Sequence, residues 1–110
     1  MSNESRAGIL QGTLDLMILH TLAALGPQHV CAIAARLEQV SSGALQLNMG
    51  TLYPGLMRLE AKGWISAKWA LTETSRRARY YELTARGRKQ LQTERAEWMR
   101  MAGIMAKVLE

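Results

Sequence analysis

The chain has 110 residues, a hydrophobic content of 48%, a charged content of 21% and a net charge of +5. This length and composition favour a single folded domain and exclude a disordered or fibrous chain. Phenylalanine is absent and aromatic residues make up only 5%, so the core must be aliphatic, which favours packed helices over a sheet sandwich.

Cys31 is the only cysteine, which excludes an internal disulfide and a cysteine metal cluster and favours a reducing compartment. No apolar run approaches the roughly 20 residues that a membrane-spanning helix needs, and the first residues have no secretory pattern. We therefore expect a cytoplasmic protein.

The positive charge is concentrated in one segment of the chain. Residues 58–90 hold nine of the 14 lysines and arginines but only three of the nine acidic residues. A basic balance suggests a polyanionic partner, although many basic proteins have none.

The first predicted helix is apolar on two roughly opposite sides. Residues 1–8 are expected to be disordered, and Thr13 can cap a helix that runs to about Leu25. One side carries Leu14, Ile18, Leu22 and Leu25, and the other carries Leu16, Leu19 and Ala23. Because a thin domain can cover only one side, we expect a second subunit to cover the other, with Leu16 and Leu19 in the dimer interface.

Two shorter helices are predicted next. Apolar side chains at helical spacing predict the second helix over residues 29–40. Asn48 can cap the third, which is expected to run to about Lys62 with Gly63 as its stop.

After Gly63 the period changes from helical to extended, which predicts a β-hairpin and then a last helix. WISAKWAL (64–71) and RYYELT (79–84) are predicted to be strands, joined by the polar turn TETSRRA (72–78). Thr84 can cap the last helix, whose apolar seam has a spacing of about 3.5. The seam, which we assign to the dimer interface, consists of Leu91, Trp98, Met101, Met105 and Val108.

The order helix, helix, helix, strand, strand, helix is that of a winged helix-turn-helix, a mainly α fold with a small β-hairpin. We assign residues 9–87 to this DNA-binding domain and residues 84–110 to a C-terminal dimerisation helix in the same compact unit. In this arrangement the third helix enters the DNA major groove, and the hairpin, or wing, contacts the backbone beside it.

The third predicted helix contains Pro54, which removes a backbone donor, between Gly50 and Gly55. The side opposite its leucines begins with the small residues Gly50, Thr51 and Pro54. Small side chains allow the end of a helix to approach the bases of a groove about 12 Å wide. The alternative is that Pro54 ends a loop and the helix starts later, near Tyr53.

Four stretches of the chain resemble the PadR-like family of transcriptional regulators. They are GTLYP at 50–54, LMRLEAKGWI at 56–65, RRARYYELTARG at 76–87 and LQGTLDLMILHTL at 10–22. The resemblance covers about residues 9–109 and is to the short form of the family, with one C-terminal helix. One departure is the start of the second helix, HVCAI at 29–33, where the family often has a His-Gly-Tyr-Ala-Ile-like sequence.

The resemblance implies a winged-helix dimer, in most members a repressor, whose last helix packs against the partner's first helix. It also implies that a small aromatic effector could bind near the dimer interface. Trp98 is the candidate ligand residue, and its alternative role is that of a dimer-core tryptophan.

By the same resemblance, Thr51, Tyr53 and Pro54 lie at the DNA face, with Asn48 and Arg58 nearby. Tyr53 could contact a phosphate or pack against its neighbours. Arg58 could bond a guanine edge, which offers two acceptors, or a phosphate.

The arginines near the hairpin tip are the wing candidates. They are Arg76, Arg77 and Arg79, each of which could neutralise a phosphate or could belong to a solvated face. His20, His29 and Cys31 have no partners at metal or catalytic spacing, so we expect no enzyme, no metal and no cofactor.

Three functions remain open from the sequence. The first is a dimeric DNA-binding regulator that represses transcription by occluding a promoter at an inverted repeat and is relieved by an effector. The second is a winged-helix protein-interaction module without specific DNA binding. The third is a non-specific binder of RNA or of an anionic surface.

Overall fold

The computed structural model describes the backbone of residues 3–110 and the side chains of residues 12–110. Its elements are α1 (Asn3–Leu25), α2 (Val30–Val40), α3 (Met49–Ala61), β1 (Ile65–Leu71), β2 (Arg77–Leu83) and α4 (Ala85–Val108). This order confirms the predicted mainly α fold with a small β-hairpin. The division of the chain at residues 84–87 into a DNA-binding domain and a dimerisation helix stays a prediction.

The helix α1 begins at Asn3, ten residues before the predicted cap at Thr13. It therefore includes residues 3–8 of the segment expected to be disordered, while residues 1 and 2 lie outside the described part. Residues 4–11 contain strong helix formers such as Glu, Ala and Leu and no proline, and Gly8 weakens a helix without ending it.

Both apolar sides of α1 are used inside the subunit, because α1 packs against α2, α3, α4 and β2. Leu14, Ile18 and Leu22 are buried, as expected for the core side, but Leu19 is also fully buried at 0% exposure. The assignment of Leu19 to a dimer interface is therefore wrong. Leu25, placed on the core side by its spacing, is 42% exposed, because the helix ends there.

Side-chain caps define the starts of α2 and α4. The His29 ring nitrogen Nδ1 accepts a hydrogen bond from the Ala32 amide at 3.3 Å. The Thr84 hydroxyl accepts one from the Gly87 amide at 3.0 Å, as predicted from its position before the last helix.

The strands β1 and β2 form an antiparallel hairpin in which Ile65 lies opposite Leu83 and Leu71 lies opposite Arg77. Gln28, just before α2, forms a bridge with Tyr81 on the other edge of β2. The inner end of the hairpin, or wing, is therefore attached to the helical core, whereas its outer end projects from it.

Gly87 lies where α4 crosses the start of β1. The Thr84 hydroxyl donates to the Gly63 carbonyl at 2.7 Å, and the Thr84 amide donates to the Trp64 carbonyl at 3.0 Å. A Cβ atom at position 87 would overlap that Trp64 carbonyl and would lie 2.9 Å from Leu83 Cδ1. The approach of these two backbones requires glycine at this position.

The second half of α4 is almost entirely exposed. Leu91, at its start, packs against the core but remains partly exposed, so its assignment to the dimer interface stays a prediction. The large apolar side chains that follow are exposed: Trp98, Met99, Met101, Ile104, Met105 and Val108. No helix in the described residues is both long and apolar enough to cross a membrane.

Candidate nucleic-acid interface

The helix α3 starts at the predicted cap and continues through its proline. The Asn48 oxygen Oδ1 accepts hydrogen bonds from the Thr51 amide at 2.9 Å and from the Thr51 hydroxyl at 3.1 Å. Pro54 lies inside the helix, so the alternative of a start near Tyr53 is wrong. Asn48 acts as a helix cap and orients Thr51, whose side chain is exposed.

One face of α3 is buried in the core and the opposite face is exposed to solvent. Leu52, Leu56 and Leu59 are all 0% exposed and form the side that packs into the core. The opposite side is exposed and carries Gly50, Thr51, Tyr53, Pro54, Met57 and Ala61. The small side chains on this face are those of Gly50, Thr51 and Pro54, whereas Tyr53 and Met57 project from it and are 44% and 66% exposed. The small residues allow the start of the helix to approach a duplex groove closely.

The two glycines that flank Pro54 have different surroundings. Gly50 is exposed at the helix start, whereas Gly55 is buried against α1. A Cβ atom at Gly55 would lie 3.4 Å from Ile18 Cδ1 and 3.6 Å from Leu14 Cδ2. Gly55 thus allows α3 to lie close to α1, while Gly50 and Pro54 keep the outer face slim.

Arg58 is held by an acidic side chain of α1. Its Nη2 atom lies 2.8 Å from Asp15 Oδ1, and the two side chains are 31% and 11% exposed. Its Nε atom is buried without a hydrogen-bond partner among the described residues. The Arg58 guanidinium, which was expected to contact DNA, therefore forms an ion pair that links α3 to α1.

The three wing arginines have three different environments. Arg79 pairs with Glu60 near the end of α3 at 2.9 Å and is not at the tip of the wing. The Arg77 guanidinium lies 5.3 Å from the centroid of the Trp69 ring. Arg76 is exposed at the turn. Arg79 thus links the wing to α3, and Arg76 and Arg77 are exposed on the wing.

An open groove of about 980 Å³ separates the wing from the starts of α2 and α3. Tyr53, Trp69, Arg76, Arg77 and Arg79 are among its lining residues, and Glu73 is the acidic residue there. On its α2 side the His29 and Tyr80 rings meet edge to face at 5.4 Å. Cations outnumber acids along this groove, so it favours an anionic partner.

A second, smaller groove of about 390 Å³ lies between α1, α2 and the middle of α4. Leu16, Met17, Leu37, Val40 and Trp98 contribute apolar surface to it, and His20 and Arg95 contribute polar groups. Trp98 is 48% exposed. This groove has the size and lining of a site for a small apolar ligand.

Burial raises the pKa of Tyr81 above its ordinary value of 10.0, and the nearby Arg79 charge partly opposes that rise. Within residues 12–110 no cluster of three His, Cys, Asp or Glu side chains could hold a metal ion. Cys31 is an exposed free thiol beside the groove.

Three residues of this interface have no signal in the sequence. Asp15 is 43 positions from Arg58 and Glu60 is 19 positions from Arg79, so neither ion pair follows from local spacing. Trp69 belongs to a predicted strand, and only the observed register shows that its ring shares a face with Arg77.

The model of the Transcriptional regulator PadR-like family matches residues 18–93. No curated protein matches the sequence significantly.

Among solved structures, a transcriptional regulator from Clostridium thermocellum is 25% identical with a TM-score of 0.84, over 94% of this chain and 99% of that one. A PadR family regulator from Clostridium difficile is 28% identical with a TM-score of 0.72, over 87% and 97% of the two chains. A PadR family regulator from Eggerthella lenta is 26% identical with a TM-score of 0.75, over 97% and 91%.

Proposed function

Because the chain belongs to the PadR-like family of transcriptional regulators, which bind DNA, we propose that it acts as a dimeric repressor in the cytoplasm. In this proposal the dimer binds an inverted repeat in a promoter and excludes the transcription machinery from it. A small aromatic effector relieves the repression.

The observation that carries the proposal is the slim exposed face of α3 beside two outward cations. Thr51, Tyr53 and Pro54 approach the major groove, with Met57 one turn later on the same exposed face. Gly50 permits a close backbone approach, and Asn48 sets the conformation of Thr51.

The wing supplies the flanking contacts. Arg76 and Arg77 neutralise phosphates, and each should contribute about 0.9 to the slope of log affinity against log salt. Arg79 acts mainly by holding the wing against Glu60, because its guanidinium is already paired at 2.9 Å. Arg58 can reach DNA only with the part of its guanidinium that Asp15 leaves open.

The apolar face of α4 supports the dimer. Trp98, Met101 and Met105 are each about half exposed, at 48%, 51% and 48%, and Val108 is 72% exposed. Monomers rarely leave so many large apolar side chains on one helix open to water. Leu16, which lines the groove beside Trp98, is the residue of α1 that joins this interface.

Two-fold symmetry of such a dimer places one α3 in each half-site. The half-sites of the inverted repeat should therefore lie about one DNA turn apart, roughly 34 Å from centre to centre.

The groove of about 390 Å³ is the proposed effector site. Trp98 lines it and is the reporter for the test. If a flat aromatic compound binds there, it should quench Trp98 fluorescence in a variant that lacks Trp64 and Trp69. A broad panel of aromatic compounds without effect would leave Trp98 as a residue of the dimer interface alone.

A competition mobility-shift assay tests the proposed function. The labelled duplex is the region upstream of the protein's own gene, the competitor is random duplex DNA, and the salt concentration is varied. Retention of the specific complex in excess competitor supports the repressor. Equal competition supports a non-specific binder of anionic polymers, and the absence of any shift supports a protein-interaction module.

A further inference from the structure

The exposed face of α3 carries one long side chain along its centre. Gly50, Pro54, Met57 and Ala61 lie within about 60° of one another around the helix axis, on the side opposite the buried leucines. Met57 is 66% exposed, whereas the other three residues are small. Among these four residues, Met57 is therefore the one whose side chain extends furthest from the helix backbone.

The chemistry of this central line is apolar. Its four side chains contain no nitrogen or oxygen atom, and the sulfur of Met57 is only a weak hydrogen-bond acceptor. The major groove presents one apolar group on its base edges, the 5-methyl group of thymine. Contact between a thioether and this methyl group removes both from water, which is favourable. The centre of the face therefore suits thymine better than any other base.

The polar side chains beside the central line have partners within the protein. The Thr51 hydroxyl donates to Asn48 Oδ1 at 3.1 Å. Arg58 Nη2 lies 2.8 Å from Asp15 Oδ1 and 3.6 Å from the position that a Cβ atom at Gly55 would take, so the guanidinium folds back towards α1.

This arrangement disfavours guanine as the base read by the centre of α3. A guanine edge is most often bound by an arginine or lysine that bonds its two acceptors. Arg58 is the only arginine or lysine between Met49 and Ala61, the bounds of α3. Because Arg58 is already bound to Asp15, the side chain free to meet a base edge at the centre of the face is Met57.

Methionine is suited to such a contact. Its unbranched chain has three rotatable bonds and a polarisable sulfur, so it can adapt to the shape of a base edge. Met57 lies about 10 Å further along the helix axis than Gly50, and it therefore meets a different base pair from the start of α3.

We infer that Met57 is a specificity-determining residue, whose thioether packs on the 5-methyl group of a thymine in the major groove, once in each half-site. This inference rests on the proposed function, since it needs α3 in the major groove. It names a chemical feature of the operator, a thymine at the same position of both half-sites, and it makes the affinity depend on a methyl group.

Deoxyuridine provides the test, because it lacks the 5-methyl group of thymine and keeps the same pairing and hydrogen-bonding groups. In the duplex from the region upstream of the gene, thymines are replaced by deoxyuridine at one symmetric pair of positions at a time. At one pair, binding of the wild-type protein should weaken about fifteenfold, since each buried methyl group is worth about fourfold. Deoxyuridine outside the half-sites should have no effect.

Variants of Met57 show whether this side chain senses the methyl group. Met57→Ala should bind the thymine duplex more weakly than wild type and should bind the deoxyuridine duplex no more weakly than the thymine duplex. Met57→Leu keeps an apolar side chain and should keep the preference for thymine. Met57→Gln should lose it, because glutamine bonds the N6 and N7 atoms of adenine. Leu109→Ala, which shortens a 76% exposed apolar side chain outside α3, is the control and should keep the preference.

The outcomes separate this inference from the proposed function. If the wild-type protein binds the upstream duplex specifically and no deoxyuridine pair weakens it, the inference is overturned and the repressor stands. The same holds if deoxyuridine weakens wild type and Met57→Ala equally, because the methyl group then acts without Met57. If the wild-type protein prefers no duplex over random DNA, both are overturned. Unfolding curves of Met57→Ala should match wild type, since the side chain is exposed.

Discussion

The ion pair between α1 and α3 makes a specific prediction about stability. Arg58→Ala should destabilise the fold, because it leaves the Asp15 carboxylate, 11% exposed, without the cation 2.8 Å away. The effect arises in the link between two helices and does not require DNA.

The size of this loss of stability follows from how deeply the Arg58 and Asp15 side chains are buried. Removing one member of a fully buried pair costs about 3–5 kcal/mol, and stranding a single buried polar group costs about 1–3 kcal/mol. Arg58 is 31% exposed, so solvent screens part of the pair. We expect a loss of about 2 kcal/mol in the free energy of unfolding, or a fall of about 8 °C in the midpoint of thermal unfolding.

Urea and thermal unfolding at one fixed protein concentration measure the loss. The matched control is the double variant Asp15→Asn, Arg58→Ala, which removes the stranded charge and should recover at least half of the loss. If Arg58→Ala unfolds like wild type, or the double variant is as unstable as Arg58→Ala, the pair does not join α3 to α1 as described.

The same variant also decides what Arg58 does on DNA, provided that binding is measured well below its unfolding midpoint. If the open edge of the guanidinium reads a base, Arg58→Ala should weaken cognate binding by about 1–3 kcal/mol and leave random DNA almost unaffected. An equal loss on all duplexes would make Arg58 a phosphate contact.

Three further predictions concern the fold and the dimer. Gly87→Ala should cost about 3 kcal/mol of unfolding free energy because of the Trp64 carbonyl, while Gly103→Ala, with open space around it, should be neutral or slightly stabilising; equal unfolding curves would contradict this. Because the pKa of Tyr81 is raised in the folded protein, this tyrosine ionises at a lower pH in the unfolded chain, so the free energy of unfolding should fall as pH rises above 10.0. The free energy of unfolding, measured as a function of pH, should fall less in Tyr81→Phe. Met105→Glu should produce monomers in sedimentation, and an unchanged dimer would refute the α4 interface.

Local signals in the sequence were sufficient for the elements after α1, whose start lies ten residues before the predicted cap. Asn48 and Thr84 cap the helices they precede, because a side-chain acceptor is needed at those unpaired amides. The change of period after Gly63 located the hairpin, and Gly63 has the positive φ of +77° that a helix stop requires.

The sequence did not predict which surface covers each apolar side chain, because this depends on residues far away in the chain. The two apolar sides of α1 indicated burial on both sides, but only the folded chain shows that Leu19 is covered within the subunit. Leu91 and Trp98 belong to one apolar stripe, yet the first packs on the core and the second lies beyond it. A helical stripe records which side is apolar and does not identify the surface that covers it.

The sequence predicted which face of α3 belongs to the interface, but it did not predict the ion pairs. The leucine side of α3 and its slim side follow from a period of 3.6. The commitment of Arg58 to Asp15 depends on the crossing of two helices 43 positions apart in the chain, and this crossing leaves no local pattern.

Protection of guanine N7 from dimethyl sulfate tests the central claim most directly, because N7 lies in the major groove. With the upstream duplex bound, the account predicts two protected patches about one helical turn apart, arranged as an inverted repeat. Guanines methylated equally with and without bound protein would contradict the entry of α3 into the major groove.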